Sequence, residues 1–316
     1  MKNVTKAAIA VAVMLAAGVL WVGYRVLHGD ADIPPVPDPA LDTQDISISV
    51  GEAKIDARLY QKRGVTPSAG LLWMHGGAFA GGSMNMPEGD AVAQSFAHAG
   101  VLVLNLDYRR VAPDCDATQW NGAPAVRYPT PILDGQAGFN RLREEAIARG
   151  VPADRLFVGG ASAGGNLAVH TVAWNARDGR PPAAGLVLAY PFVHGYPTDS
   201  PAVGGWFDRM AMDGVVKRAT RCFMGSTDPD RLALVHPQPE ALAGFPPAII
   251  ITGEDDPLRP SGDAFADDLR RAGVAVTIRL EPGTEHGHVN QPMTGPYDKT
   301  MATFIDWLLQ RSQGPR

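Results

Sequence analysis

The chain has 316 residues, 45% hydrophobic and 19% charged, with a formal net charge of -5. That composition folds, as one large α/β domain or two small ones, and the acidic balance supplies no basic field for a phosphate backbone, which excludes nucleic acid as an expected partner. The 35 glycines and 27 prolines accompany recurrent apolar runs, so they indicate many loops rather than disorder.

Lys2 and Lys6 precede an uncharged apolar run at 7–24, closed by Arg25. As a helix this run spans about 27 Å, the short end of a membrane crossing and longer than the usual core of a cleaved signal. Residues 1–29 therefore read as a signal anchor, or as a signal peptide with small residues at Gly29, Asp30 and Ala31 for cleavage. The lysines favour the cytoplasmic side, which places the rest of the chain in the periplasm or beyond, anchored or exported. No cysteine directly succeeds the run, so a lipoprotein anchor is not expected. The Pro-rich stretch within 30–44 is a stiff linker, and a single domain is expected over 45–316.

Alternating apolar residues at 45–50 and 55–60 predict an antiparallel pair at a sheet edge. A buried-type strand at 70–74 runs into His75-Gly76-Gly77-Ala78-Phe79-Ala80-Gly81-Gly82. Glycines so dense directly off a strand serve close backbone approach, as in a loop that aims N–H groups at a developing negative charge. A helix at 88–99 and a strand at 101–106 come next. The loop at 110–131 has no periodicity and is long enough to be functional. A helix is predicted at 132–149.

Gly160-Ala161-Ser162-Ala163-Gly164 then stands between an apolar strand from Leu156 and an Ala/Leu/Val run in helical rhythm. Strand, sharp turn and helix give this G-x-S-x-G pattern its meaning: the turn lifts the hydroxyl above the sheet, and the free amides at the helix start favour negative charge there. A strand at 186–190 ends at Pro191. Residues 192–243 break the alternation and carry Trp206, Phe207, Met210, Met212, Phe223 and Met224, the pattern of helices inserted as a cap. The sheet resumes at 247–252, with a helix at 261–272, a strand at 274–280 and a closing helix at 297–309. Alternating strands and helices predict a mostly parallel sheet covered by helices on both faces, with the ligand outside the carboxyl ends of the strands.

A serine hydroxyl needs a base, and the base needs an acid to orient it. Glu254, Asp255 and Asp256 come after the strand ending at 252, and His286 and His288 after the strand ending at 280. The order Ser, acid, His is that of the α/β-hydrolases. H-G-G-A-F at 75–79, Y-R at 108–109 with A-P at 112–113, G-A-S-A-G-G at 160–165, G-F-P-P-A at 244–248, D-P-L-R at 256–259 and H-G at 286–287 together resemble the hormone-sensitive-lipase-like family of α/β-hydrolase esterases, across roughly 70–309. The resemblance implies Ser162 as nucleophile, Asp256 as acid, His286 as base, and the amides of Gly76, Gly77 and Ala163 as oxyanion donors. It implies hydrolysis of short- to medium-chain carboxylic esters of small molecules through an acyl-enzyme, with no cofactor, and no metal-ligand spacing is present. The same triad also serves amide, carbamate or peptide hydrolysis, and the same scaffold can serve as a non-catalytic receptor.

The sequence departs from the family at three places: Ala161 stands where the family usually has Asp, Ala78 replaces the third glycine of the loop, and the loop after Pro113 is longer than the family norm. Cys115 in that loop and Cys222 in the insertion are placed to form a bridge in an oxidising compartment.

Overall fold

Every residue of strand β3 (Ala69–Met74) is buried, with Leu72 and Met74 in one hydrophobic cluster and Leu71 and Trp73 in another. A strand buried on both faces has no polar alternation, which is why this run reads as continuously apolar. The computed structural model describes residues 36–194, 203, 206–226 and 239–313. The apolar run at 7–24 and the start of the linker lie outside the described residues, as does part of the expected cap. Among the described residues no helix is long and apolar enough to cross a membrane.

The sheet contains, besides β3, strands β1 (Leu41–Val50), β2 (Ala53–Lys62), β4 (Val101–Asp107), β7 (Leu156–Ala161), β8 (Gly185–Ala189), β9 (Ala248–Gly253) and β10 (Val276–Glu281), while a small separate pair is formed by β5 (Gln119–Trp120) and β6 (Ala123–Pro124). The order across the large sheet is β1-β2-β4-β3-β7-β8-β9-β10. The pairs β1/β2 and β2/β4 are antiparallel and every other pair is parallel. Helices α1 (Pro87–His98) and α6 (Gly295–Ser312) cover one face through Phe96, Tyr297, Phe304 and Trp307. Helices α2 (Thr130–Ala148), α3 (Ala163–Arg177) and α5 (Arg259–Arg271) cover the other through Phe139, Leu142, Leu167 and Phe265. Each such large side chain contributes roughly 1.5–3 kcal/mol by leaving water, so the two clusters hold the sheet from both sides.

Between β8 and β9 lie helix α4 (Trp206–Met224) and a 3-10 turn at Pro239–Leu242. The sequence at 192–243 predicts several helices, and α4 is the one among the described residues. Its last turn is joined by a disulfide between Cys222 and Cys115, at a sequence separation of 107.

The loop at 110–131 differs from the aperiodic reading. It contains the β5/β6 hairpin, turned by Asn121 and Gly122, both at positive φ. Asn-Gly between two short extended pieces is a local hairpin signal that the absence of periodicity concealed.

Candidate active site

Because strands β3, β7, β8, β9 and β10 run parallel, their carboxyl ends lie along one rim, and the turns that follow them converge on one site. The register sets Met74 beside Gly160, Ala161 beside Ala189, Ala189 beside Ile251, and Glu281 beside Gly253. Backbone bonds from Glu254 N to Glu281 O (3.0 Å) and from Asp255 N to Thr284 O (2.9 Å) stitch the turns after β9 and β10 together.

At the end of β7 the chain turns through Ser162, which has φ 52 and ψ -117 and caps α3. An L residue there is strained. The turn also brings strand and helix backbones into contact: a Cβ on Gly160 would lie 2.5 Å from the Gly164 carbonyl carbon and 2.7 Å from Met74 O, and one on Gly164 would collide with Met74 O. Only glycine fits at either position. Ser162 is 9% exposed, with its amide bonded to Ala189 O at 3.0 Å.

His286 Nε2 lies 2.9 Å from Ser162 Oγ, and His286 Nδ1 lies 2.9 Å from Asp256 Oδ2. Asp256 is fully buried, and its Oδ1 accepts the Leu258 amide at 2.7 Å, which fixes the carboxylate plane. Burial pushes the His286 pKa down, but the charge and hydrogen bond of Asp256 and the charge of Glu88 outweigh it and hold the ring above the ordinary histidine value. His288, whose Nε2 bonds Thr300 Oγ1 at 2.9 Å, is pushed down to about 4, by burial first and then by the nearby His286. Its Nε2 is thus engaged with Thr300, whereas Ser162 Oγ is met by His286. Glu254 is engaged with the Gly283 amide at 2.9 Å.

The loop after β3 passes directly over Ser162, so that a Cβ on Gly76 would lie 3.1 Å from Ser162 Cβ. It is held from the end of β4: Tyr108 Oη donates to His75 O at 3.0 Å and its ring stacks on that of His75, with centroids 4.4 Å apart. The amides of Gly77 and Ala163 have no hydrogen-bond partner among the described residues. Gly76 departs from expectation. Its amide donates to Glu88 Oε1 at 2.5 Å, so it is not free for a ligand in this arrangement. Glu88, Tyr190 and Asn290 are site neighbours that sequence reasoning missed, since an acidic residue in the first turn of a helix reads as ordinary dipole complementarity.

A family model described as alpha/beta hydrolase fold matches residues 71–290, most of the chain. The chain belongs to this alpha/beta-hydrolase family. It is similar to Carboxylesterase NlhH of Mycobacterium tuberculosis, with 31% identity over 83% of this chain and 80% of that one. Similarity to the ethyl acetate hydrolase of Pseudomonas putida is also 31%, over 83% and 78% of the two chains. Among solved structures, brefeldin A esterase, a bacterial homologue of human hormone sensitive lipase, shares the fold with a TM-score of 0.77 at 24% identity, over 94% of this chain and 86% of that one.

Proposed function

We propose that this alpha/beta hydrolase is a serine carboxylesterase in which Ser162 is the nucleophile, His286 the general base and Asp256 the acid that orients it. The observation that carries this reading is the unbroken chain of two 2.9 Å contacts from Asp256 through His286 to Ser162. The related carboxylesterase and ethyl acetate hydrolase support ester cleavage as the activity.

In this mechanism Ser162 Oγ attacks the ester carbonyl carbon while His286 Nε2 takes its proton, and Asp256 stabilises the imidazolium that forms. The carbonyl oxygen becomes an oxyanion facing the amides of Gly77 and Ala163, the latter at the positive end of α3. Ala78, the next residue of the loop, also has an amide without a partner among the described residues, and we assign it the place expected for Gly76. The intermediate collapses, His286 passes its proton to the leaving alcohol, and an acyl group remains on Ser162. A water then attacks the acyl carbon as it gives its proton to His286, and the bond from the acyl carbon to Ser162 Oγ breaks as His286 returns that proton to Oγ, releasing the acid. Short to medium acyl chains are the substrate class we assign, with α4 as part of a cap over the site. The Cys115–Cys222 bridge and the apolar run after Lys2 and Lys6 support an export signal, retained as an anchor or cleaved, and a catalytic domain outside the cytoplasm.

Ser162→Ala tests the reading. Hydrolysis of p-nitrophenyl butyrate should fall by about 10⁴-fold or more with the fold intact. Retained turnover would overturn it.

A further inference from the structure

Glu88 sits in the first turn of α1, 2% exposed, and forms no ion pair with Lys or Arg among the described residues. Its carboxylate instead accepts three hydrogen bonds from three separate parts of the chain. Oε1 takes the Gly76 amide at 2.5 Å, and Oε2 takes Tyr190 Oη at 2.8 Å and Asn290 Nδ2 at 2.9 Å. Asn290 returns the contact by accepting the Glu88 amide at 3.1 Å. All of these partners donate to the carboxylate, the set that suits its ionised form.

What these partners touch gives the arrangement its meaning. Gly76 begins the loop over Ser162. The Tyr190 ring meets the His286 ring edge-on, with centroids 4.8 Å apart, and Asn290 closes the 3-10 turn just beyond His286. One side chain therefore links the loop after β3, the residue after β8 and the loop after β10.

We propose that Glu88 is a positioning residue for the reaction, its carboxylate holding the Gly76–Gly77 loop and the His286 ring in one fixed relation over Ser162. The proposal rests on the triad reading above. Charge gives Glu88 a second effect. The groups facing His286 are Asp256 from the turn after β9, Glu88 from α1, Tyr190 from the end of β8 and His288 from its own loop; those facing Glu88 are His286 and the buried phenols of Tyr108 and Tyr190. Both phenols are raised by burial and then by Glu88, so they stay neutral. Glu88 thus supplies His286 with a negative charge beyond that of Asp256.

Glu88→Gln keeps the shape but offers one acceptor oxygen where the site uses two, and removes the charge. We expect kcat to fall about 10- to 100-fold with KM little changed, short of the largest losses seen when an oxyanion donor is deleted. The acid limb of its kcat/KM profile should also move to lower pH, because the imidazolium has lost a stabilising charge. Glu88→Asp keeps the charge but cannot span all three partners, so kcat should fall while the acid limb stays put. Wild-type kcat and an unmoved limb in Glu88→Gln would overturn the proposal. Should that variant not fold, Tyr190→Phe keeps the ring on His286 and removes one contact; a kcat lowered by about 3- to 10-fold at unchanged KM supports the proposal, and a wild-type kcat overturns it. Labelling with a fluorophosphonate separates the two readings. A wild type whose Ser162 resists the probe overturns the triad and this proposal with it, whereas normal labelling in both wild type and Glu88→Gln, with unaltered kinetics, overturns this proposal alone.

Discussion

Phe79 and Phe223 stack face to face, with ring centroids 4.1 Å apart and planes 9° from parallel. Phe79 lies on the loop over Ser162, and Phe223 lies in the last turn of α4, next to the bridged Cys222. The stack matters because Ala78 and Phe79 are consecutive non-glycine residues at positive φ, 52 and 65. Each such residue costs of order 1–3 kcal/mol and persists only when its surroundings hold it. Here the surroundings include the Val111 amide on Phe79 O at 2.9 Å, the Phe223 ring, and the Tyr128 amide on Phe223 O at 2.7 Å.

Removing the bridge should therefore loosen more than α4. In the Cys115→Ser/Cys222→Ser double variant we expect a stability loss of about 2–4 kcal/mol, read as a lowered Tm. A fall in kcat/KM of about 3- to 10-fold should accompany it as the Phe79 loop relaxes. An unchanged Tm would contradict the role given to the bridge.

Asp256→Asn should preserve the fold and abolish most activity. The amide oxygen can keep the Leu258 contact, but the amide nitrogen then faces His286 Nδ1 and forces the proton onto Nε2. A ring protonated on Nε2 cannot accept the Ser162 proton. The expected loss in kcat is about 10⁴-fold at nearly constant KM, measured by steady-state ester hydrolysis. A loss of less than about tenfold would remove Asp256 from its assigned role.

For the acid limb of the pH profile the direction of its displacement and its slope are both predicted. His286 must be neutral to act as base, and Asp256 and Glu88 hold its pKa above the ordinary 6.5 against the opposing effect of burial. Activity should fall as pH drops through a value above 6.5. His288, at about 4, contributes nothing in that window, so the limb should have the slope of one proton. A midpoint below the ordinary histidine value or a two-proton slope in kcat/KM would contradict this.

Gly160→Ala examines the turn itself. Its new Cβ would meet backbone atoms of Gly164 and Met74, none of which can swing aside as a side chain could. We expect destabilisation by about 2–4 kcal/mol or failure to fold, read by chemical denaturation. Wild-type stability would show that strand and helix are not in contact there.

The sheet and its helices are legible in the sequence because their signals are local. A strand such as β3, with both faces buried, reads as an unbroken apolar run, and the elbow demands glycine two residues either side of Ser162. The convergence of Ser162, Asp256 and His286 is legible for a related reason: each comes soon after a strand end, and parallel strands bring those ends to one rim. Glu88 is not legible. Nothing within its own turn distinguishes it from a solvated first-turn acid, and its partners Tyr190 and Asn290 stand 102 and 202 residues away. The Gly76 amide is engaged by that same Glu88 carboxylate, so the dense glycines indicate a close backbone approach without indicating which amide is free. At β5/β6 the Asn121-Gly122 signal is local but brief, only two residues per strand, and periodicity is blind at that length.

Labelling with a fluorophosphonate, followed by peptide mapping, tests the central claim most directly. The wild-type protein should take up one adduct per chain, on Ser162, with ester hydrolysis lost in proportion, and Ser162→Ala should take up none. An enzyme that hydrolyses esters while its adduct maps to another residue, or that stays active with Ser162 modified, would contradict the account.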